Sequence, residues 1–345
     1  MAALADEVAA QQRADELERT CRNLQRQLAA AKAKTADLVA AVYDGAREAA
    51  TITGAPRPVP LPPLRSRKAP AGDPEWALVH FTDWQTGKRA GQPGDDDYYD
   101  TEVTVARVRH VVERVRRITA IQRRDHPVEG CAVLYGGDMV EGVSIFPGNA
   151  FEVDSSAYAQ VMAASNLMAE VVLSLLQDFD EVRVFSVHGN HGRIGRRGDM
   201  NREDNLDHIA YALARAHLAG QTRMTWAENL HWYDHVQLGN FSGLLIHGDQ
   251  VKGWSGIPAG AISRKATAWS SCLPVGWSDL FLGHYHQRLI MTVANGAQVR
   301  MCPSTESGSQ YAAEMMAARG RPGQSLLYVH PERGRVTGEY PIWFD

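Results

Sequence analysis

The sequence predicts an α/β fold preceded by a separate N-terminal segment, and three observations predict it. From Trp76 onward, short apolar stretches alternate with longer amphipathic ones. Side chains able to bind a cation recur where those short stretches run out into loops. A stretch crowded with proline, residues 51–75, divides this region from everything before it.

The N-terminal segment, residues 1–50, contains no proline and carries Leu17, Cys21, Leu24, Leu28, Ala31, Thr35, Leu38 and Val42 at alternating steps of four and three. That seam reads either as a weak coiled coil, which would let the chain self-associate or recruit a partner, or as one amphipathic helix lying on the main domain. Gly45 and the following Thr-Ile-Thr-Gly stop it. Pro56, Pro58, Pro60, Pro62, Pro63, Pro70 and Pro74 make residues 51–75 an extended, semi-rigid linker.

Residues 76–345 form the expected main domain. Strand-like 76–83 is followed by a helix over 101–118 whose Val108, Val111, Val115 and Ile118 share a face. Strand 131–138, helix 156–176, strand 181–190 and helix 205–218 continue the alternation. Strands then follow at 242–249 and 279–286. A hairpin over 288–303 turns at Asn295-Gly296, and a last hairpin spans 325–342.

At 345 residues the chain is long enough for two modest domains or for one large domain with an extension. Its 44% apolar content is enough to bury a sizeable core. The balance of 36 basic against 40 acidic residues gives −4, which excludes a generally polybasic chain but not a local basic patch. No stretch approaches ~20 consecutive apolar residues, so no membrane partner is expected. The acidic, polar first turns do not suit a signal peptide. The four cysteines form no Cys-x-x-Cys pair and read as reduced thiols, so the expected location is the cytoplasm.

The chemistry sits at the strand ends: Asp83 and Gln85, then Asp138, Asn190 with His191, His247, and His284 with His286. A lone histidine on a strand is usually a packed residue, and a lone Gly-Asp is usually a turn. Five such sites in order, each at a strand terminus, can converge on one point at the edge of an open sheet.

In this order the stretches DWQ (83–85), GDMVE (137–141), GNHG (189–192), IHGD (246–249) and GHYH (283–286) resemble the signature of the calcineurin-like metallophosphoesterases. The resemblance implies a four-layer αββα sandwich with two divalent metal ions about 4 Å apart at the sheet ends. It implies that Asp83, Gln85 and His286 hold the first ion, that Asp138 bridges, and that Asn190, His247 and His284 complete the second. A hydroxide held between the ions would attack phosphorus, with His191 as the acid at the leaving oxygen.

Three positions depart from the family pattern. Gln85 stands in place of a histidine, which makes the site harder and favours Mn²⁺, with Mg²⁺, Fe²⁺, Ni²⁺ and Zn²⁺ still open. Glu141 replaces an aspartate and can still act behind the ligands. Gly192 removes the carboxylate that follows the histidine, so the orientation of His191 must come from elsewhere.

Arg193, Arg196 and Arg197 follow GNH directly and could grip the phosphates of a polynucleotide, with Lys88 and Arg89 extending the patch. An arginine loop of this kind also occurs simply as a solvated loop. Trp254, Trp269 and Trp277, interleaved with Lys252, Arg264 and Lys265, read as core packing or as base-stacking residues.

These features are most similar to SbcD-type DNA exonucleases and bacteriophage phosphoesterases, which adds an ATPase subunit to the expected partners. The expected function is a metal-dependent phosphodiesterase acting on DNA. The alternatives are a small-molecule phosphatase or cyclic nucleotide phosphodiesterase and, in another class, a catalytically weak scaffold that recruits partners through residues 1–50.

Overall fold

In the computed structural model the first strand, β1 (Glu75–Phe81), sends Leu78 to one side and Ala77 and Val79 to the other, and the two sides meet different layers. The structure describes residues 19, 22, 23, 26, 72–146, 148–195, 201–252, 256–306 and 320–344. The expected helix or coiled coil over 1–50 therefore lies outside the described residues, apart from four helical positions. So does the expected linker, apart from its last four residues.

Two sheets form the centre. In the first, β1 pairs in parallel with β2 (Val128–Tyr135), which pairs in the same sense with β3 (Glu181–Ser186), and β3 with β4 (Met224–Trp226). The C-terminal hairpin β10 (Gly323–His330) and β11 (Arg335–Trp343) adds antiparallel on the other edge of β1, giving the order β11-β10-β1-β2-β3-β4. The second sheet runs β5-β6-β7-β9-β8. It is built from β5 (Tyr233–Leu238), β6 (Phe241–Ile246), β7 (Asp279–Leu282), β8 (Leu289–Thr292) and β9 (Gln298–Met301).

The period-two alternation of side chains separates the layers. Leu78, Ala132, Leu134, Val236, Leu245, Phe281 and Leu327 pack between the sheets. Val79 and Val133 turn instead toward α1 (Thr101–Gln122), α2 (Ala157–Leu175) and α3 (Leu206–His217). On the far side, Leu244, Ile246, Leu280 and Leu282 meet Ile262, Ala266 and Trp269 of α4 (Ala259–Cys272). The order is helices, sheet, sheet, helix, the expected four-layer αββα sandwich.

The helix starts follow from local chemistry. Asp100, Ser156 and Asn205 each accept a backbone N–H of the first turn, from Val103, Ala159 and Asp207. By length and composition α2 would reach across a membrane, but its apolar face is buried in the core against the first sheet.

Three readings change. The loop between β8 and β9 holds five residues, Val293 to Ala297, longer than a two-residue Asn-Gly turn: Val293 donates to the Ala297 carbonyl, and Gly296 takes φ 85°. α4 was not expected, because its Ser- and Thr-rich sequence carries only Ile262, Ala266 and Trp269 as a buried stripe. Trp269 and Trp277 belong to the core beside the second sheet, which removes them as base-stacking residues. Trp254 lies outside the described residues.

Candidate metal centre

Each parallel strand delivers its polar residue to the same end of the sandwich, and the backbone is bent there to do so. The non-glycine residues with positive φ among the described residues are Asp83 (52°), Gln85 (45°), Asp138 (54°), His284 (68°) and His286 (54°). A left-handed conformation at such residues costs on the order of 1–3 kcal/mol each and persists where the surroundings over-determine it. All five are expected ligands.

The bends are held by named partners. The Asp207 carboxylate accepts the N–H groups of Asp138 (2.9 Å), Met139 (3.0 Å), Val140 (3.3 Å) and Gly189 (2.9 Å), tying the second and third motif loops together. Asp83 accepts the His284 N–H at 2.9 Å and the Thr82 hydroxyl at 2.8 Å. Gly189 and Gly283 are required by close approach, since a Cβ would stand 2.0 Å from Asp138 Oδ1 and 2.2 Å from Asp83 Oδ2.

At the centre, His247 Nδ1 donates to the Gly136 carbonyl at 2.9 Å, which turns Nε2 inward. That Nε2 lies 3.0 Å from Asp138 Oδ2, 3.2 Å from Asn190 Oδ1 and 3.2 Å from His284 Nδ1. Asp138, His247 and His284 offer ligand atoms all within 4.8 Å of one another. Beside them, His286 Nε2 is 3.4 Å from Asp83 Oδ1, and the buried Oε1 of Gln85 has no hydrogen-bond partner. The ligand atoms thus converge on one space, where protons on the histidines hold them together and a bound cation could take the protons' place. The residues fit a divalent metal centre.

The electrostatics follow from burial and crowding. Burial pushes the Asp138 carboxyl up, but the charges of His247 and His191 outweigh it and hold it below the usual carboxylate range. Burial works against charge on His247 and His286 as well. Asp138 nevertheless raises His247 to about 10, and the hydrogen bonds of Asp83 and Glu306 raise His286 to about 10. His284, desolvated and facing charged His247, falls to about 4.

His191 stands at the rim. Its N–H donates to Asp138 Oδ1 (2.7 Å), its Nδ1 lies 3.1 Å from Glu141 Oε2, and its Nε2 is 3.4 Å from Gln85 Nε2. Its side chain is 18% exposed, whereas Asp83, Asp138 and His247 are sealed, so His191 can meet a ligand from solvent. Burial lowers its pKa, but Asp138 and Glu141 outweigh that and raise it.

The two sheets with these five strand-end motifs at one edge decide the fold. It is a four-layer αββα sandwich, the architecture that the resemblance to the calcineurin-like metallophosphoesterases implies. The sequence matches no protein-family model and no curated protein. Among solved structures the chain is similar to wild-type Vps29 complexed with Zn²⁺ from Entamoeba histolytica, at 15% identity over 78% of this chain and 99% of that one, TM-score 0.35. It is similar to a dimetal phosphatase from Danio rerio, at 12% identity over 79% and 100% of the two chains, TM-score 0.41. A 5'-nucleotidase from Candida albicans shares 13% identity over 79% and 54%, TM-score 0.34. Likeness of this degree concerns the fold alone.

Around the sandwich's site, Lys88 does not extend a basic patch as expected. It is buried and ion-paired with Glu306 at 2.6 Å. Arg193 is half-buried and donates to the Ile145 carbonyl at 3.5 Å, while Arg196 and Arg197 lie outside the described residues. Sequence reasoning missed Asp207 and Glu306. Each sits far along the chain from the motif it serves, and neither belongs to a pattern.

Proposed function

We propose that the chain is a metal-dependent phosphoesterase whose substrate is a phosphodiester, DNA foremost. The observation that carries the reading is the convergence of potential ligand atoms around His247 Nε2, with Asp138, Asn190 and His284 at 3.0–3.2 Å. Asp83, Gln85 and His286 would hold one divalent ion, Asn190, His247 and His284 the second, and Asp138 both. The amide oxygen of Gln85 favours Mn²⁺. The chemistry two bound ions would supply is neutralisation of the phosphoryl oxygens and activation of water.

The chain's own residues supply the rest. Glu141 accepts a hydrogen bond from His191 Nδ1–H and leaves Nε2–H as the position from which a proton would pass to the departing oxygen. Such acid assistance is worth ~10²–10⁴ in rate. The Arg193–Arg197 stretch follows directly and can meet flanking phosphates. Phe151, 90% exposed, and Phe146 stand on the loop that begins at Glu141, where aromatic rings can stack bases. Self-association or partner recruitment through residues 1–50, an ATPase subunit among the partners, belongs to the same proposal.

The test is a Mn²⁺ activity panel of double- and single-stranded DNA, RNA, cyclic nucleotides, an aryl phosphodiester and an aryl phosphomonoester. Cleavage of DNA that a chelator abolishes is expected. Hydrolysis of the small esters without DNA cleavage would move the substrate to nucleotides. No hydrolysis of any of them would favour the scaffold reading.

A further inference from the structure

Three imidazoles at the site show their Nδ1 to a dedicated partner: His247 to the Gly136 carbonyl, His191 to Glu141, and His286 to Glu306. The third partner belongs to none of the five motifs. Glu306 follows β9, its side chain is 2% exposed, and its two oxygens are divided: Oε1 lies 2.6 Å from Lys88 Nζ and Oε2 3.1 Å from His286 Nδ1.

We propose that Glu306, anchored by Lys88, is the positioning residue that fixes the ring and tautomer of His286, so that Nε2 presents its lone pair beside Asp83. The inference rests on the metal-centre reading above. A carboxylate behind a metal-binding histidine orients the ring and raises its basicity. A buried carboxylate needs a compensating charge, and the Lys88 ammonium provides it.

The pair is rigidly placed. The Lys88 N–H donates to the Gln85 carbonyl (2.9 Å), so the ammonium is carried by the first motif's own loop. The Glu306 N–H donates to Ser304 Oγ (2.9 Å), whose hydroxyl donates to the Asp83 carbonyl (2.8 Å). Thr305 Oγ1 bonds the Tyr99 hydroxyl at 2.6 Å, and Arg107 donates to the Thr305 carbonyl at 2.5 Å. The segment after β9 is thereby clamped onto the loop holding Asp83 and Gln85.

Mn²⁺ titration of the full chain, with free Mn²⁺ read by electron paramagnetic resonance, tests the inference. Glu306→Gln is expected to weaken one of two Mn²⁺ sites by roughly 10–100-fold and to leave the other unchanged. Glu306→Asp, which keeps the charge, is expected to lie between it and the unaltered protein. Both sites unchanged in Glu306→Gln, or both weakened alike, overturns the proposal. If Glu306→Gln does not fold by circular dichroism, Glu306→Asp decides alone, one weakened site supporting the proposal and none overturning it. Asp138→Asn separates the two readings. If it leaves Mn²⁺ binding untouched, the metal-centre reading fails and this inference with it. If it abolishes binding while Glu306→Gln changes nothing, only this inference fails.

Discussion

Glu141 Oε2 lies 3.1 Å from His191 Nδ1, and the carboxylate is itself held from behind by the Asn149 side-chain amide at 3.0 Å. The carboxylate that the sequence lacks at Gly192 is supplied from another loop. It reaches the same imidazole from a position 50 residues earlier in the chain.

Glu141→Gln should therefore lower turnover about 10–100-fold with the metal content unchanged. Because the Glu141 charge raises the His191 pKa against burial, its removal lowers that pKa. The high-pH limb of kcat, where His191 loses its proton, should move to lower pH. An unmoved limb would separate Glu141 from the acid.

Gln85→His should shift metal preference from Mn²⁺ toward Zn²⁺ by roughly tenfold, since an imidazole nitrogen replaces an amide oxygen. The backbone does not oppose the change. Residue 85 sits at φ 45°, and histidine is among the non-glycine residues found there more often than most. Competition between the two ions, read by elemental analysis after equilibration, gives the ratio.

Asp207 is the tie beneath the site, with Oδ1 accepting from Met139 and Val140 and Oδ2 from Asp138 and Gly189. Asp207→Ala strands four buried donors and should lower the unfolding free energy by roughly 3 kcal/mol or more. Asp207→Asn should rescue little, because its NH₂ would face two N–H groups. Urea unfolding of the metal-free protein measures both.

Apolar runs followed by a polar residue made the parallel strands and their ligands legible, and the observed caps at Asp100, Ser156 and Asn205 lie within one residue of the expected helix starts. What was not legible has two causes. α4 and β5 carry too few apolar residues to stand out, α4 burying only Ile262, Ala266 and Trp269 and β5 only Val236 and Leu238 at a sheet edge. Asp207, Glu306 and the burial of Lys88 arise only when distant loops meet, and a local pattern carries no such information. The left-handed turns at five of the seven expected ligands were equally invisible, because nothing in Asp, Gln or His demands them.

The raised pKa values of His247 and His286 set proton against metal. Both hold a proton to about 10 in the metal-free protein, on the nitrogens that a metal would need. Metal binding must expel those protons, so apparent affinity should rise with pH through the neutral range. Calorimetry in two buffers of different ionisation enthalpy should report release of about two protons per chain. A heat independent of buffer would remove these histidines from the ligand set. The same shifts fix the sign for stability. A histidine raised from 6.5 to about 10 contributes fully below pH 6.5, and its contribution is lost as pH rises through about 10. The melting temperature of the metal-free protein should therefore fall steadily between pH 7 and 10. With metal in place of the protons that fall should flatten, so the gap between the two melting curves widens with pH.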